Sequence, residues 1–164
     1  MTVTLEEIVV PPAVRSHFPP DDARRLVELR RDLHRHPELS WEEKETADRL
    51  FAALAAFGIT DVARVAGTGL VARIPGRDRN APVVALRGDI DALPIAESTG
   101  LAYASENAGV MHACGHDVHA SWAVGAARLL ASAPAEGDVL VVFQPAEEVG
   151  DGALDGRALC RRQA

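Results

Sequence analysis

The chain has 164 residues, with 17 Lys plus Arg against 24 Asp plus Glu, for a net charge of −7. Its 48% hydrophobic and 25% charged residues are those of a globular chain long enough to build one core. The acidic balance, without any run of Lys or Arg, excludes nucleic acid and an anionic membrane surface as expected partners, and no apolar run approaches the roughly 20 residues of a membrane-spanning helix. Residues 1–12 hold Glu6 and Glu7 and no basic stretch, so no signal peptide is expected. Two cysteines, Cys114 and Cys160, make no disulfide framework, and a reduced, cytoplasmic protein is expected.

Residues 1–20 combine Ile8-Val9-Val10 with Pro11-Pro12 and Pro19-Pro20 and read as a loosely ordered arm. A first helix is expected after Pro20, capped by Asp21 or Asp22. Leu26, Leu29 and Leu33 recur along one face, and His36-Pro37 ends it. Ser40-Trp41-Glu42-Glu43 has the form of a capping box. Behind it Ala47, Leu50, Phe51 and Leu54 make the apolar face of a second helix, which Gly58 closes. His34 and His36 read as surface or interhelix residues.

Beyond Ile59 the period changes. Residues 69–74 alternate as a half-buried strand, and Pro82-Val83-Val84-Ala85-Leu86, apolar on both faces, predicts a central strand covered by helices. Immediately after it, Asp89 and Asp91 stand at a strand's C-terminal end, where α/β folds hold ligands; the competing reading is that both acids cap a turn. Residues 95–110 are polar and aperiodic, a loop long enough to carry function. A helix is expected from about Asp117, its cap, to about Ser132, with Val118, Ala126, Leu129 and Leu130 toward the sheet. A second buried strand over 138–143 runs into Gln144-Pro145-Ala146-Glu147-Glu148. Strand, loop, helix, strand is a βαβ unit, so the expected fold is α/β, with an at least partly parallel sheet flanked by helices.

Between loop and helix lies Met111-His112-Ala113-Cys114-Gly115-His116-Asp117-Val118-His119, with three imidazoles, a thiol and a carboxylate in nine residues. Soft sulfur, borderline nitrogen and hard oxygen are what a transition-metal site draws on. In an extended segment His112, Cys114 and His116 would all point to one side. Two other readings stand beside this one: Cys114 as a small buried residue among hydrogen-bonded histidines, or as a nucleophile activated by His116 or His119. The downstream acids favour metal. Successive side chains diverge along a strand, so one of Glu147 and Glu148 can bind a divalent ion while its neighbour acts as general base. Metal-assisted hydrolysis of an amide is the chemistry such a set performs.

Four stretches, in order, resemble the metal-dependent amidohydrolases of the aminoacylase/carboxypeptidase superfamily. The matching branch holds hippurate hydrolases, N-acyl-L-amino-acid amidohydrolases and indoleacetyl-amino-acid hydrolases. The stretches are Arg31-Asp32-Leu33-His34-Arg35-His36-Pro37-Glu38-Leu39, Leu86-Arg87-Gly88-Asp89-Ile90-Asp91-Ala92-Leu93-Pro94, the 111–119 cluster, and Phe143-Gln144-Pro145-Ala146-Glu147-Glu148, within residues 24–153. The resemblance implies Cys114, His116 and Glu148 as metal ligands, Glu147 as the catalytic general base and Asp91 as the acid that orients the site. His119, with Asp89 and His112, would stand behind the ligands. It further implies two divalent ions (zinc, manganese, cobalt or nickel), a small N-acyl amino acid or peptide-like substrate, and homodimers formed through a smaller inserted domain.

Against that family, residues 21–153 correspond to the N-terminal part of a catalytic domain, and the arginine-rich residues 154–164 form an atypical tail. No histidine follows His119, so two further metal-binding histidines of the family have no counterpart and three of five protein ligands are expected. The expectation is a truncated or frame-shifted chain, either a partial amidohydrolase or a non-catalytic remnant. Its incomplete sheet would expose an unpaired edge and favour aggregation.

Overall fold

Two prolines start the first helix in the computed structural model, which describes residues 17–152. The expected arm and tail lie largely outside these residues. Helix α1 (Pro20–Arg35) has Pro19 at its N-cap and Pro20 in the first turn, where the missing N–H removes no helical bond. Neither Asp21 nor Asp22 caps it. Asp22 instead faces Arg128, 2.9 Å away, and so ties α1 to a later helix.

Helix α2 (Lys44–Ala56) begins without the expected capping box, since Glu43 at the N-cap makes no side-chain cap bond. Trp41, at φ 68°, turns the chain and takes Ser40 away from the helix end. The orphan amides of Glu45 and Thr46 are satisfied from further upstream, by the Glu38 carboxylate at 3.2 and 2.7 Å. The C-terminal end behaves as expected. Gly58 N–H donates to Ala55 and Ile59 N–H to Leu54, at 2.9 and 3.0 Å, a Schellman closure.

Four strands follow, β1 (Val62–Val65), β2 (Gly69–Ile74), β3 (Val84–Asp89) and β4 (Val139–Gln144), in the spatial order β1-β2-β4-β3. The pairs β1/β2 and β2/β4 are antiparallel, and β3/β4 is parallel. Helix α3 (His116–Ser132) makes the crossover between β3 and β4. The sheet is therefore mixed, with its parallel pair where the βαβ pattern predicts one. β1 is short and carries Arg64 in its middle, so it lacked a strand signal.

Helices and sheet share one core. Leu33 of α1, Leu50 and Leu54 of α2 and Val124 of α3 pack with Leu70, Val141 and Phe143 from one face of the sheet. Val65, Val71, Leu140 and Val142 form a smaller cluster from the alternate strand positions. The sheet-facing side of α3 is Ala120, Ala123, Val124 and Ala127; of the residues expected there, Leu130 packs at the margin of the core and Val118, Ala126 and Leu129 stay half-buried. These small side chains let the helix lie close to the strands.

β4 is buried along its whole length, as its sequence predicts. β3 is not the covered central strand its apolar run predicts. It occupies an edge, with Val84 59% exposed, because it pairs with β4 alone among the described strands. An apolar run reports what a strand can bury, and burial itself requires a neighbour. Among the described residues no helix is long and apolar enough to cross a membrane.

Candidate metal centre

The parallel register of β3 and β4 sets Asp89 beside Gln144, so both strands end together. Gly88 brings the end of β3 against α3: a Cβ there would stand 2.8 Å from the His119 backbone oxygen. This close approach lets His119 Nδ1–H donate to Asp89 Oδ1 at 2.6 Å. The other Asp89 oxygen accepts from Arg87 at 2.8 Å.

The 111–119 cluster is not extended. Met111 bridges Leu93, the chain turns, and Gly115 at φ 85° leads straight into α3, whose first residue is His116. Asp117 therefore lies inside the helix rather than at its cap. The turn separates the three residues that an extended strand would align. Cys114 is exposed, His116 is buried at the site, and His112 packs inward at 4% exposure. Neither ring nitrogen of His112 has a hydrogen-bond partner among the described residues, and burial brings its pKa down to about 4. The neutral ring is an inner packing residue.

His116 is the centre of the arrangement. Its Nδ1–H donates to the Asp91 backbone oxygen at 2.8 Å and faces Asp91 Oδ1 at 3.2 Å. That pairing leaves the Nε2 lone pair pointing into a ring of carboxylates, with Asp89 Oδ1 at 3.6 Å and Glu147 Oε2 and Glu148 Oε1 both at 3.8 Å. The two glutamates do not diverge as strand neighbours would. β4 has already ended, and Ala146, at φ 50°, folds the chain back so that both approach the same nitrogen.

Electrostatics follow from this crowding. Burial opposes charge on Asp91, but hydrogen bonds from His116, the Glu148 amide and Ser40 outweigh it and bring its pKa down to about 2. Burial likewise opposes charge on His116, yet Asp91 and Asp89 raise its pKa. Desolvation and the Glu148 carboxylate, then Glu147 and Asp89, push the Cys114 thiol up. A nucleophilic thiol needs the reverse environment, so the geometry speaks against Cys114 as a nucleophile.

The residues fit a divalent transition metal. Donor atoms of Cys114, His116 and Glu148 lie within 4.8 Å of one another, as do those of Asp89, His116 and His119. Glu148 Oε1 is buried without a hydrogen-bond partner among the described residues, a cost that a cation at this position would remove. Both sets share the single free nitrogen of His116, so that nitrogen serves one ion only.

Three supporting residues escaped sequence reasoning. Ser40 donates to Asp91 Oδ2 at 2.7 Å, together with the Glu148 amide at 3.0 Å. Glu43, fully buried, accepts from Thr68 Oγ1 at 2.6 Å and from the Ala146 amide at 2.8 Å, which pins the turn that carries the glutamates. Arg87 bridges Asp89 and, at 3.7 Å, Glu147. Arg87 stands inside one of the four matching stretches, whereas Ser40 and Glu43 carry only the misleading form of a capping box.

Comparison with known proteins bears on this arrangement. The profile of peptidase family M20/M25/M40 matches residues 85–163, from β3 through the acids after β4. This stretch, just under half of the chain, is similar to that family. A relative named N-acetylcysteine deacetylase, from Bacillus subtilis, is 50% identical over 133 residues, covering 79% of this chain and 34% of that protein. An Arabidopsis thaliana protein named IAA-amino acid hydrolase is 42% identical, over 85% of this chain and 30% of its own length. Among solved structures, the Bacillus subtilis YXEP protein, described as a dinuclear metal-binding peptidase of the M20 family, superimposes with a TM-score of 0.76 at 47% identity. That match covers 80% of this chain and 38% of YXEP. The chain thus spans about a third of the length of these relatives.

Proposed function

We propose that this chain carries metal-binding and proton-transfer residues of an amidohydrolase that cleaves the amide of N-acylated amino acids. The observation that carries the reading is the convergence of Cys114, His116 and Glu148, with Glu147 equally near the free nitrogen of His116. The names of the relatives, a deacetylase of N-acetylcysteine and a hydrolase of IAA-amino acids, support a small N-acyl amino acid as substrate.

Cys114, His116 and Glu148 hold a divalent ion, zinc, manganese, cobalt or nickel. In a paired site, the remaining ligands are the histidines for which this sequence has no counterpart. A bound ion of this kind polarises an amide carbonyl and makes water more acidic. Glu147 accepts the proton of the attacking water and returns it to the leaving amine. Asp91 fixes the tautomer of His116, Asp89 and His119 line its other side, and His112 supports it from within the fold by packing. Residues 21–153 act as the N-terminal part of a catalytic domain, between the 1–20 arm and the 154–164 tail, in a cytoplasmic enzyme that is a homodimer when complete.

Metal content tests the reading. The purified chain is incubated with zinc or manganese, desalted and submitted to elemental analysis beside Cys114→Ser. Close to one ion per chain, lost in the variant, followed by hydrolysis of N-acetylcysteine, is the expected result. No retained metal in the wild type overturns it. The chain would then be a non-catalytic one that keeps the signature.

A further inference from the structure

His34 lies outside the metal centre, yet it is buried and paired through both ring nitrogens. It comes from the last turn of α1, and its side chain is 4% exposed. Nδ1 lies 2.8 Å from Asp117 Oδ2, in the first turn of α3 and next to His116. Nε2 lies 3.2 Å from Glu97 Oε1, in the loop between β3 and α3. Each ring nitrogen is thus paired with one carboxylate, from two segments that flank the Cys114 turn.

The same face of α1 holds that loop at other points. Arg30 reaches Asp117 Oδ2 at 2.8 Å, and Arg30 and Arg31 stack over Tyr103 of the loop at 5.0 and 5.2 Å. The His34 ring meets Tyr103 edge-on at 5.5 Å. The backbone continues the seam, with Glu106 N–H donating to Arg35 at 2.8 Å. Glu97 in turn organises its own loop: it accepts from the Ser105 amide at 2.6 Å and from the Thr99 hydroxyl.

We infer that His34 is a positioning residue: it clamps the Glu97 loop and the Asp117 turn of α3 to α1, and so sets where Cys114 and His116 stand relative to one another. It touches none of the proposed ligands and acts through Asp117 and Glu97. Only the cobalt readout below rests on the metal reading given above.

Two isosteric variants separate its two contacts. In His34→Asn the amide nitrogen can take the place of Nδ1 toward Asp117 but cannot reach Glu97. In His34→Gln the amide can reach Glu97 and loses the Asp117 contact. Hydrogen–deuterium exchange of the whole chain is followed in both. The expected result is exchange faster by about tenfold or more, the loss of one charge-assisted bond, at residues 95–111 in His34→Asn and at the first turn of α3 in His34→Gln, with α2 amides at wild-type rates. Cobalt should bind both variants about tenfold more weakly than the wild type, with shifted d–d absorption. Unchanged exchange in both variants overturns the inference, and so does a uniform acceleration across all elements, which is what a merely structural role would give. If the wild type binds no cobalt while the local exchange pattern appears, the metal reading fails and the clamp stands.

Discussion

Asp91 grips His116 twice, through its backbone oxygen at 2.8 Å and its carboxylate at 3.2 Å from the same Nδ1. This fixes the tautomer that aims Nε2 at the acids. Asp91→Asn keeps the size and the backbone contact but removes the charge. Zinc affinity of the 164-residue chain should fall by about 10–100-fold, the usual effect of losing a partner behind a metal ligand. Competition against a zinc dye measures this, and an unchanged affinity would show that the backbone oxygen alone orients the ring.

Asp91 also couples the fold to acid. Its pKa is depressed to about 2 in the folded chain, from an ordinary 3.8. The folded state therefore releases this proton more readily than the unfolded state. The stabilisation is complete above about pH 4 and is lost as pH falls through about 2. Its size is on the order of 1–2 kcal/mol after allowance for solvent screening. Urea midpoints of the metal-free chain should drop across that window in the wild type and less steeply in Asp91→Asn.

A thiol held above its ordinary pKa must lose its proton to ligate a metal. Zinc binding by this chain should release a proton from Cys114, with affinity climbing about tenfold per pH unit below the thiol pKa. Titrations in buffers of different ionisation enthalpy count the protons. A pH-independent affinity would remove Cys114 from the ligand set.

Gly88→Ala drives a methyl group to 2.8 Å from the backbone oxygen of His119. Backbone cannot step aside as a side chain does, so a loss of about 1–3 kcal/mol is expected, with β3 pushed away from α3 and the Asp89–His119 contact lengthened. A lowered thermal midpoint, together with a shifted His119 imidazole resonance, checks both consequences. A wild-type midpoint would mean that α3 moves freely.

Edge strand β3 presents Val84 at 59% exposure, with Val83 just before it at 38%, a hydrophobic border whose outer side pairs with no other described strand. The isolated chain should self-associate with rising concentration, and Val84→Lys should restore a monodisperse profile in light scattering. A wild-type chain that stays monomeric and melts sharply would contradict this.

What could be read in the sequence was what lies close along it. The 138–143 run became β4, and the acids and histidines of the site sit within short motifs at strand ends and a helix start, where local patterns are strongest. The supports were illegible for a physical reason. Ser40, His34 and Glu43 find their partners 51, 83 and 103 positions away, and no local pattern encodes such pairs. Ser40 and Glu43 even imitate a capping box, because a hydroxyl and a carboxylate that can cap a helix can equally brace a distant turn. The edge position of β3 was hidden in the same way. Apolar side chains record a strand's affinity for cover, not the presence of a neighbour.

The Glu43–Ala146 hydrogen bond also dictates an order of assembly. The turn that carries Glu147 and Glu148 is held by a carboxylate 103 residues earlier, so it cannot settle until β4 has docked beside β2 and the start of α2. Closing so long a loop is entropically slow, and it comes after the local helices have formed. During synthesis, Glu43 emerges early and waits with its carboxylate in water, while Glu147 and Glu148 arrive about a hundred residues later. The acidic half of the site is thus completed only when the sheet is, and a chain stalled before that point would have Cys114 and His116 without their carboxylates.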